Sequence, residues 1–436
     1  MKSIRLAVIA DDITGASDCG GQLIHYGLDV SVILKNDLIS QKNREAIIFN
    51  TDSRSISENE AYKKVSNICQ WIKNEQFDIV YKKIDSTMRG NIGQEINAVY
   101  DIFQPDFMLI APGYPKNGRQ VIDGIHFLNN KQLHETEVAN DPKTPVTDSD
   151  ITRLIQGQSK KEVGHLSYKD LQEGLEKVVK RLENFKQSDI SYVTVDSVQE
   201  SDLECLVQMI YKTRFSVIWV GSAGLMNYLP KAYGLKQKKI QLTIKPTEKP
   251  VLLVIGSVSA IGREQLDQIL LNENVVGLEM RSTEVLVDNK LKDREIRRLK
   301  QEAIKAFCQK KNIALFSSNN VIEMQRIGQE NDYSTIEISN VIANTLGELA
   351  VELIHHLDIR HIFLTGGDTA FQVLNQLHMN EFHLIDEVES GIPIGILKNA
   401  KDIDIDKEIY VVTKAGNFGT KLAMVNALNK LQGGRI

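Results

Sequence analysis

The chain has 436 residues, of which 42% are hydrophobic and 25% charged, with 28 Gly and 9 Pro, close to the average of soluble globular proteins. Disordered, collagen-like and fibrous readings are excluded, and the length argues for two domains of roughly 200 residues each, because one hydrophobic core seldom grows further. Lys and Arg number 52 against 57 Asp and Glu, giving a net charge of −5 with no long run of either sign, so a nucleic-acid or anionic-membrane surface is not favoured.

The first apolar run, Ile4 to Ala10, meets Asp11 and Asp12 before it reaches the length of a leader or a membrane span, and no later stretch reaches about 18 apolar residues. It opens a series of short β-branched runs: Val30 to Leu34, Ala46 to Asn50, Asp78 to Tyr81, Phe107 to Ala111, Tyr192 to Val195 and Val217 to Val220. Helix-period segments at Glu58 to Lys73, Asn91 to Phe103 and Lys169 to Phe185 lie between them. Such alternation predicts an α/β sheet with buried, mostly parallel strands. Tyr233 to Pro250 holds five lysines and two prolines with little apolar periodicity, so domains at 1–233 and 251–436 are expected, joined by a linker at 234–250. The second half repeats the alternation, with strands expected at Val251 to Ile255, Val275 to Glu279, Ile313 to Ser317, His361 to Thr365 and Glu408 to Thr413. Long helices are expected at Lys292 to Gln309 and Tyr333 to Leu357. The four cysteines, Cys19, Cys69, Cys205 and Cys308, are too scattered for zinc or a C-x-x-C pair, which fits a reduced, cytoplasmic setting.

Ligands of open parallel sheets bind beyond the carboxyl ends of the strands, so the loops there are where chemistry is expected. After the first run come Asp11, Asp12, Thr14, Ser17 and Asp18. Adjacent carboxylates at a strand end can act as a general base, hold a hydroxyl-rich ligand or hold magnesium. Helix capping explains one acid, not three. Further loops read Thr51-Asp-Ser-Arg54 and Lys82-Lys-Ile-Asp-Ser-Thr-Met-Arg89. Arginines and lysines beside Asp12 and Asp85 suggest a pocket for a small hydroxylated anion, against the alternative of exposed salt bridges. The loop from Ala111 to Arg119, followed by Gly124 and His126, reads as turns, and His126 as a hydrogen-bonded structural histidine. In the second half Gly256-Ser-Val-Ser259, Gly366-Gly-Asp-Thr-Ala370 and Lys414-Ala-Gly-Asn-Phe-Gly419 each follow a strand and enter a helix, a pattern suited to phosphate oxygens. Neither a Walker A sequence nor a G-x-G-x-x-G opening occurs.

The stretches I-A-D-D-I-T-G-A-S-D from Ile9, N-T-D-S-R from Asn50, Y-K-K-I-D-S-T-M-R-G-N-I-G from Tyr81, D-P-K-T-P from Asp141, V-G-S-A-G-L from Val220, L-T-G-G-D-T-A from Leu364 and T-K-A-G-N-F-G from Thr413 carry a resemblance. With these seven ordered motifs the chain resembles the four-carbon acid sugar kinases over essentially its whole length. The resemblance implies an N-terminal domain for the acid sugar, a C-terminal domain for ATP, an active site in the cleft between them, and phosphate passed to the terminal hydroxyl. Within the family the tracts look most like D-threonate 4-kinases, with D-erythronate and 3-oxo-tetronate as alternatives. By motif, Asp12, Arg54, Lys82, Lys83, Ile84 and Asp85 are implied for substrate, and Ser257, Gly366, Gly367, Asp368, Thr369 and Gly416 for ATP. Arg54 and Lys83, supported by Arg89, are expected to meet the carboxylate and incoming phosphate; Asp12 and Asp85 are expected to hold hydroxyls, with Asp12 favoured over Asp85 as general base. Magnesium is expected as the ATP complex, held chiefly by phosphates and water. A homo-oligomer is compatible with this reading. A non-catalytic sugar-acid sensor, or a ligase that activates the carboxylate, are the rival readings.

Overall fold

The run LAVIA forms strand β1 (Leu6–Ala10), with every residue buried, in a computed structural model that describes residues 4–35, 44–141, 143–238, 244–398 and 408–433. The described residues divide into two compact units, one running to Val30 and again from Arg44 to Lys238, the other comprising Ser31 to Lys35 and the chain from Ile244 onward. No described helix is long and apolar enough to cross a membrane. Residues 239–243 of the expected linker lie outside the described residues.

After β1 come β2 (Val30–Ile33), β3 (Ala46–Asn50), β4 (Ile79–Lys83), β5 (Phe107–Ala111), β6 (Arg119–Ile122), β7 (Ile125–Leu128), β8 (Lys131–Gln132), β9 (Val163–Leu166), β10 (Tyr192–Val195) and β11 (Val217–Gly221). In the first unit the sheet runs β3-β1-β4-β11-β5-β10-β9, every pairing parallel. Its strands are mostly apolar because helices cover both faces, with polar residues such as Asn50, Lys82 and Lys83 at strand ends. The register aligns Ala10 with Asn50 and with Lys83, and Gly221 with Lys83 and Ala111, so the loops that follow β1, β3, β4, β5 and β11 leave from one edge. Between them, helix Glu58–Glu75 opens on a capping box of Ser57 and Glu60 and buries Ala61, Val65, Ile68 and Ile72 at helical spacing.

Two departures from the sequence expectation have local causes. The predicted helix from Lys169 to Phe185 is two helices, Tyr168–Gln172 and Leu175–Gln187, because Gly174 stands between them at φ +92°. The turn-rich stretch after β5 is an antiparallel sheet, β6-β7-β8, whose β6–β7 turn is made by Asp123 and Gly124, both at positive φ.

The second unit contains β12 (Leu252–Ile255), β13 (Val275–Met280), β14 (Asn312–Ser317), β15 (His361–Thr365), β16 (Glu381–Glu389), β17 (Ile392–Lys398) and β18 (Ile409–Lys414). Its order is β13-β14-β12-β15-β18-β17-β16-β2. The first five are parallel; β17, β16 and β2 complete the sheet antiparallel. The β16–β17 hairpin was not visible as strands in the sequence, and β2, though early in the chain, pairs with β16 through Ser31, Val32 and Ile33. Ser31 Oγ donates to Glu381 Oε1 across that pairing at 2.6 Å. The long helices begin where side chains cap them: Asp288 opens Asn289–Cys308 and Ser334, with Glu337, opens Thr335–Leu357. Ile255, Phe363, Tyr410, Val412 and Met424 belong to the unit's core. Register here aligns Ile255 with Thr365 and Thr365 with Lys414, again bringing three loops to one edge.

Candidate active site

At the aligned edge of the first unit, Asp11 and Asp12 leave β1, and Arg54 reaches them from the loop after β3. Arg54 Nε donates to Asp11 Oδ2 at 2.7 Å, and Nη2 donates to Asp11 Oδ1 at 3.1 Å and Asp12 Oδ1 at 2.7 Å. A third carboxylate, Asp85 after β4, stands 3.6 Å from Nη2. Asp12 also caps helix α1 (Ile13–Ile24), accepting from Gly15 N at 3.0 Å, while its Oδ2 accepts from the Thr14 hydroxyl at 2.6 Å. Capping and ion pairing are therefore combined in one residue. Asp85 is gripped from the other side by Arg89, whose Nε and Nη2 donate at 2.7 and 3.1 Å, and by the Thr87 hydroxyl. Arg89 extends the chain of charges to Asp141, at 3.1 Å from Nη1. Pro142, within the D-P-K-T-P motif, lies outside the described residues.

The two lysines that end β4 are used differently. Strand alternation sends them to opposite faces. Lys82 is fully buried with its ammonium 2.6 Å from Glu95 Oε2, and donates to Lys83 O at 2.7 Å and Ile9 O at 3.4 Å. Glu95 is in turn held by the Ser53 hydroxyl at 2.6 Å. Lys82 is thus an internal strut beneath the loops, with its donors spent on protein. Lys83 donates to Ile84 O at 2.9 Å, its only hydrogen-bond acceptor among the described residues, which leaves donors for a ligand. Gly15 lets it approach: a Cβ there would lie 2.7 Å from Lys83 Nζ and 2.5 Å from Asp12 Oδ1. Ile84 contributes backbone, its N–H donating to Gly221 O at 2.9 Å.

Electrostatically the cluster is built around fixed ion pairs. Burial pushes Asp85 up, but the Arg89 and Arg54 guanidiniums overcome it and hold the carboxyl well below the usual carboxylate range. Burial likewise opposes ionisation of Asp11, and Arg54 outweighs it, so Asp11 also titrates below its ordinary value. Glu95 is the exception: burial wins over its lysine and raises its titration.

In the second unit the expected phosphate loops converge. Gly256 follows β12, Gly366 follows β15 and Gly416 follows β18, and the three backbones approach so closely that side chains would not fit. A Cβ on Gly256 would lie 1.9 Å from Thr369 Oγ1, one on Gly366 3.2 Å from Ser257 N, and one on Gly416 2.3 Å from Ser257 Oγ. Gly366 holds φ +97°, open chiefly to glycine. Helix Gly367–Gln376 starts without a side-chain cap on its N–H groups, with Asp368 in its first turn. At the neighbouring start, Ser259 caps helix Ala260–Leu270, and its hydroxyl bridges to Gly416 O at 2.8 Å and Ser257 Oγ at 3.0 Å. Lys414, fully buried, shapes the third loop by donating to the carbonyls of Ala415, Gly416 and Phe418 at 2.8, 2.9 and 3.2 Å. Burial depresses its ammonium to about 7.

Sequence reasoning passed over Asp11 as the principal partner of Arg54, Glu95 as that of Lys82, and Lys414 as the organiser of a glycine loop. Asp11 and Lys414 lie inside motifs that the sequence displays, whereas Glu95 reads as one residue of a helix face.

Residues 6–229 match the family model of a sugar-binding N-terminal domain, and residues 252–424 that of a nucleotide-binding C-terminal domain. A D-threonate kinase of Salmonella typhimurium is 30% identical over 430 residues, 98% of each chain. The chain belongs to the four-carbon acid sugar kinase family. Other members similar to it are a 3-oxo-tetronate kinase of Actinobacillus succinogenes, 28% identical over 95% of this chain and 97% of that one, and a D-erythronate kinase of Heliobacterium modesticaldum, 28% identical over 98% and 97%. The solved structure of a Haemophilus influenzae protein superposes on this family member with a TM-score of 0.69 at 26% identity, over 97% of this chain and 98% of that one.

Proposed function

We propose that the chain is an ATP-dependent kinase that phosphorylates the 4-hydroxyl of a four-carbon sugar acid, with D-threonate as substrate and 4-phospho-D-threonate as product. The observation that carries this reading is the division of labour between aligned strand ends. One unit gathers Lys83 and the Asp12–Arg54–Asp85 cluster, and the other gathers three glycine loops with an uncapped helix start. The choice of D-threonate is supported by the relative of that name at 30% identity, set against 28% for the 3-oxo-tetronate and D-erythronate kinases.

ATP, the second substrate, supplies the phosphoryl group, and the second unit has features that fit its phosphates. The space that a Cβ would fill at Gly256, Gly366 and Gly416, the Ser257 hydroxyl and the N–H groups at Gly367, Asp368 and Thr369 suit phosphate oxygens. Magnesium enters as the companion of ATP, held by phosphates and water.

In the first unit Lys83 meets the substrate's negative charge with its remaining donors. Arg54, committed to Asp11, Asp12 and Asp85, orders those carboxylates so that their outer oxygens receive the hydroxyls of the acid. Asp12 accepts the proton of the 4-hydroxyl as that oxygen is phosphorylated, and later releases it to solvent. Asp85, whose carboxyl is held far below neutrality, is a weak proton acceptor and serves as a hydrogen-bonding anchor. Alignment and charge neutralisation do most of what phosphoryl transfer asks of a protein.

An ADP-release screen over four-carbon sugar acids, followed by phosphorus NMR of the product, tests the proposal. D-threonate is expected to give the highest kcat/KM, with the phosphate on C4. Faster turnover of D-erythronate or 3-oxo-tetronate would move the substrate assignment within the family, while ADP release with none of them would favour a sensor.

A further inference from the structure

The motif D-P-K-T-P, which opens on Asp141, has no task in the function proposed above. Its aspartate divides its two carboxylate oxygens. Oδ1 accepts from the N–H groups of Lys143 and Thr144 at 3.0 and 2.9 Å and from the Thr144 hydroxyl at 3.3 Å, which closes a turn within the motif. Oδ2 accepts from Arg89 Nη1 at 3.1 Å, across 52 positions of sequence. One side chain thus ties a turn of its own segment to the loop that follows β4.

That loop is wound around Asp85. Met88 and Gly90 take φ values of +60° and +96°, and Asp85 Oδ2 accepts from the N–H and hydroxyl of Thr87 and from Arg89 N and Nε. Asn91 Nδ2 donates to Ser53 O and Ile56 O, and Gln158 Nε2 to Gly90 O, so the main chain of the loop is anchored from outside. The guanidinium is held separately. Among the described residues its partners are Asp85, on Nε and Nη2, and Asp141, on Nη1. A guanidinium has five N–H donors, and these contacts leave one on each Nη. The Arg89 side chain is 28% exposed, so the loop offers it to a ligand instead of sealing it inside. Direct contacts join it to the sugar-acid cluster: Arg89 and Arg54 flank Asp85 at 2.7 and 3.6 Å, and Arg54 holds Asp12 at 2.7 Å. Held by one carboxylate of its own loop, an arginine keeps freedom that binding must then remove; held by a second from a distant segment, it is set before the ligand arrives.

We propose that Asp141 is a positioning residue of the sugar-acid site: it fixes the Arg89 guanidinium so that the two remaining N–H groups, together with Lys83, receive the carboxylate of the acid. This rests on the function proposed above. Asp141 does not touch the substrate and acts through Arg89. Its own charge works against an anion, so a carboxylate with no positional role would, on removal, leave the acid bound more tightly. The assignment requires the opposite sign.

Asp141→Asn separates the two jobs of the side chain. The amide oxygen can stay with the turn, where Asn serves as Asp does, and the NH2 group then faces Arg89 and cannot accept from it. For the four-carbon acid that wild type turns over fastest, KM and calorimetric Kd are expected to rise about 5- to 50-fold, while kcat and the KM for ATP change by less than about twofold. In an Arg89→Ala background the same substitution is expected to add little, because residues in one chain of contacts do not act independently. If only the turn matters, Asp141→Asn binds the acid as wild type does; if only the charge matters, it binds more tightly. Either result overturns the assignment, and so does a full penalty that persists without Arg89. Should Asp141→Asn not fold, Asp141→Ser, whose hydroxyl can serve the turn but is too short to reach Arg89, is read against the same outcomes. If wild type phosphorylates a four-carbon acid and its affinity does not move, only the role of Asp141 fails. If wild type phosphorylates none, the proposed function fails and takes this role with it.

Discussion

Arg54 spends its guanidinium on Asp11: Nε and Nη2 bind the two carboxylate oxygens at 2.7 and 3.1 Å, while Nη2 also reaches Asp12 at 2.7 Å. One cation thus holds adjacent acids that could not otherwise remain ionised side by side in a buried site. Arg54→Ala is expected to cost about 3 to 5 kcal/mol of stability, since it strands buried carboxylates, in addition to any loss of activity. Arg54→Lys should recover only part, because it keeps the charge and loses the two-pronged grip. Urea unfolding beside calorimetric titration of the sugar acid separates the two effects; an Arg54→Ala protein of wild-type stability would show that the ion pairs contribute nothing to the fold.

The same pairs set an acid limit. Asp11 and Asp85 titrate lower in the folded chain than their ordinary 3.8, so they contribute stability in full above that value and lose it as pH falls through their folded values. Unfolding free energy is expected to drop steeply below about pH 4, and less steeply in Asp85→Asn. Parallel slopes for the two proteins in that range would remove Asp85 from the acid transition.

Asp12 and Asp85 should separate kinetically. Asp12→Asn is expected to reduce kcat by about 10²- to 10⁴-fold with a smaller change in KM, as loss of a general base does. Asp85→Asn loosens Arg89 and should act mainly on KM. Near-normal kcat in both variants would mean that alignment alone drives the transfer.

On the nucleotide side, Gly416→Ala places a methyl group against Ser257 Oγ, 2.3 Å from its present position. The hydroxyl must swing away, and nucleotide affinity is expected to fall about tenfold while the sugar-acid affinity holds, a loss of one good hydrogen bond to an anion. Calorimetry with ATP and with D-threonate on the same variant decides it.

Lys414, depressed to about 7, is largely neutral at pH 8 in the nucleotide-free chain. Phosphates close to its loop favour the protonated form, so nucleotide binding should take up close to one proton at pH 8 and little at pH 6. Calorimetry in buffers of different ionisation enthalpy measures this uptake. Lys414→Met should abolish it, and uptake that survives the substitution would assign the proton to another group.

Much of the site was visible in the chain itself. Leu6–Ala10 is apolar on every residue and His361–Thr365 through its Ile-Phe-Leu centre, a pattern suited to strands covered on both faces, so the positions of Asp12, Arg54, Asp85, Gly366 and Gly416 just beyond strand ends followed directly. Hydrophobic patterning is local, and it is strong where burial is complete. The partners of the charges were not legible, because they depend on register between distant segments. Arg54 and Asp11 are 43 positions apart and meet because β1 and β3 align Ala10 with Asn50. Lys82 and Lys83 look equivalent in sequence, yet alternation across the sheet makes the first a buried strut to Glu95 and leaves the second with donors to offer. The Asp123–Gly124 turn looked like any loop until its flanking residues were seen to pair, and only that pairing puts His126 and Arg119 on one buried face. Composition and periodicity determined which loops stand beyond strand ends and hold the candidate site residues; side-chain geometry, a tertiary property, decided which of those residues are spent on one another.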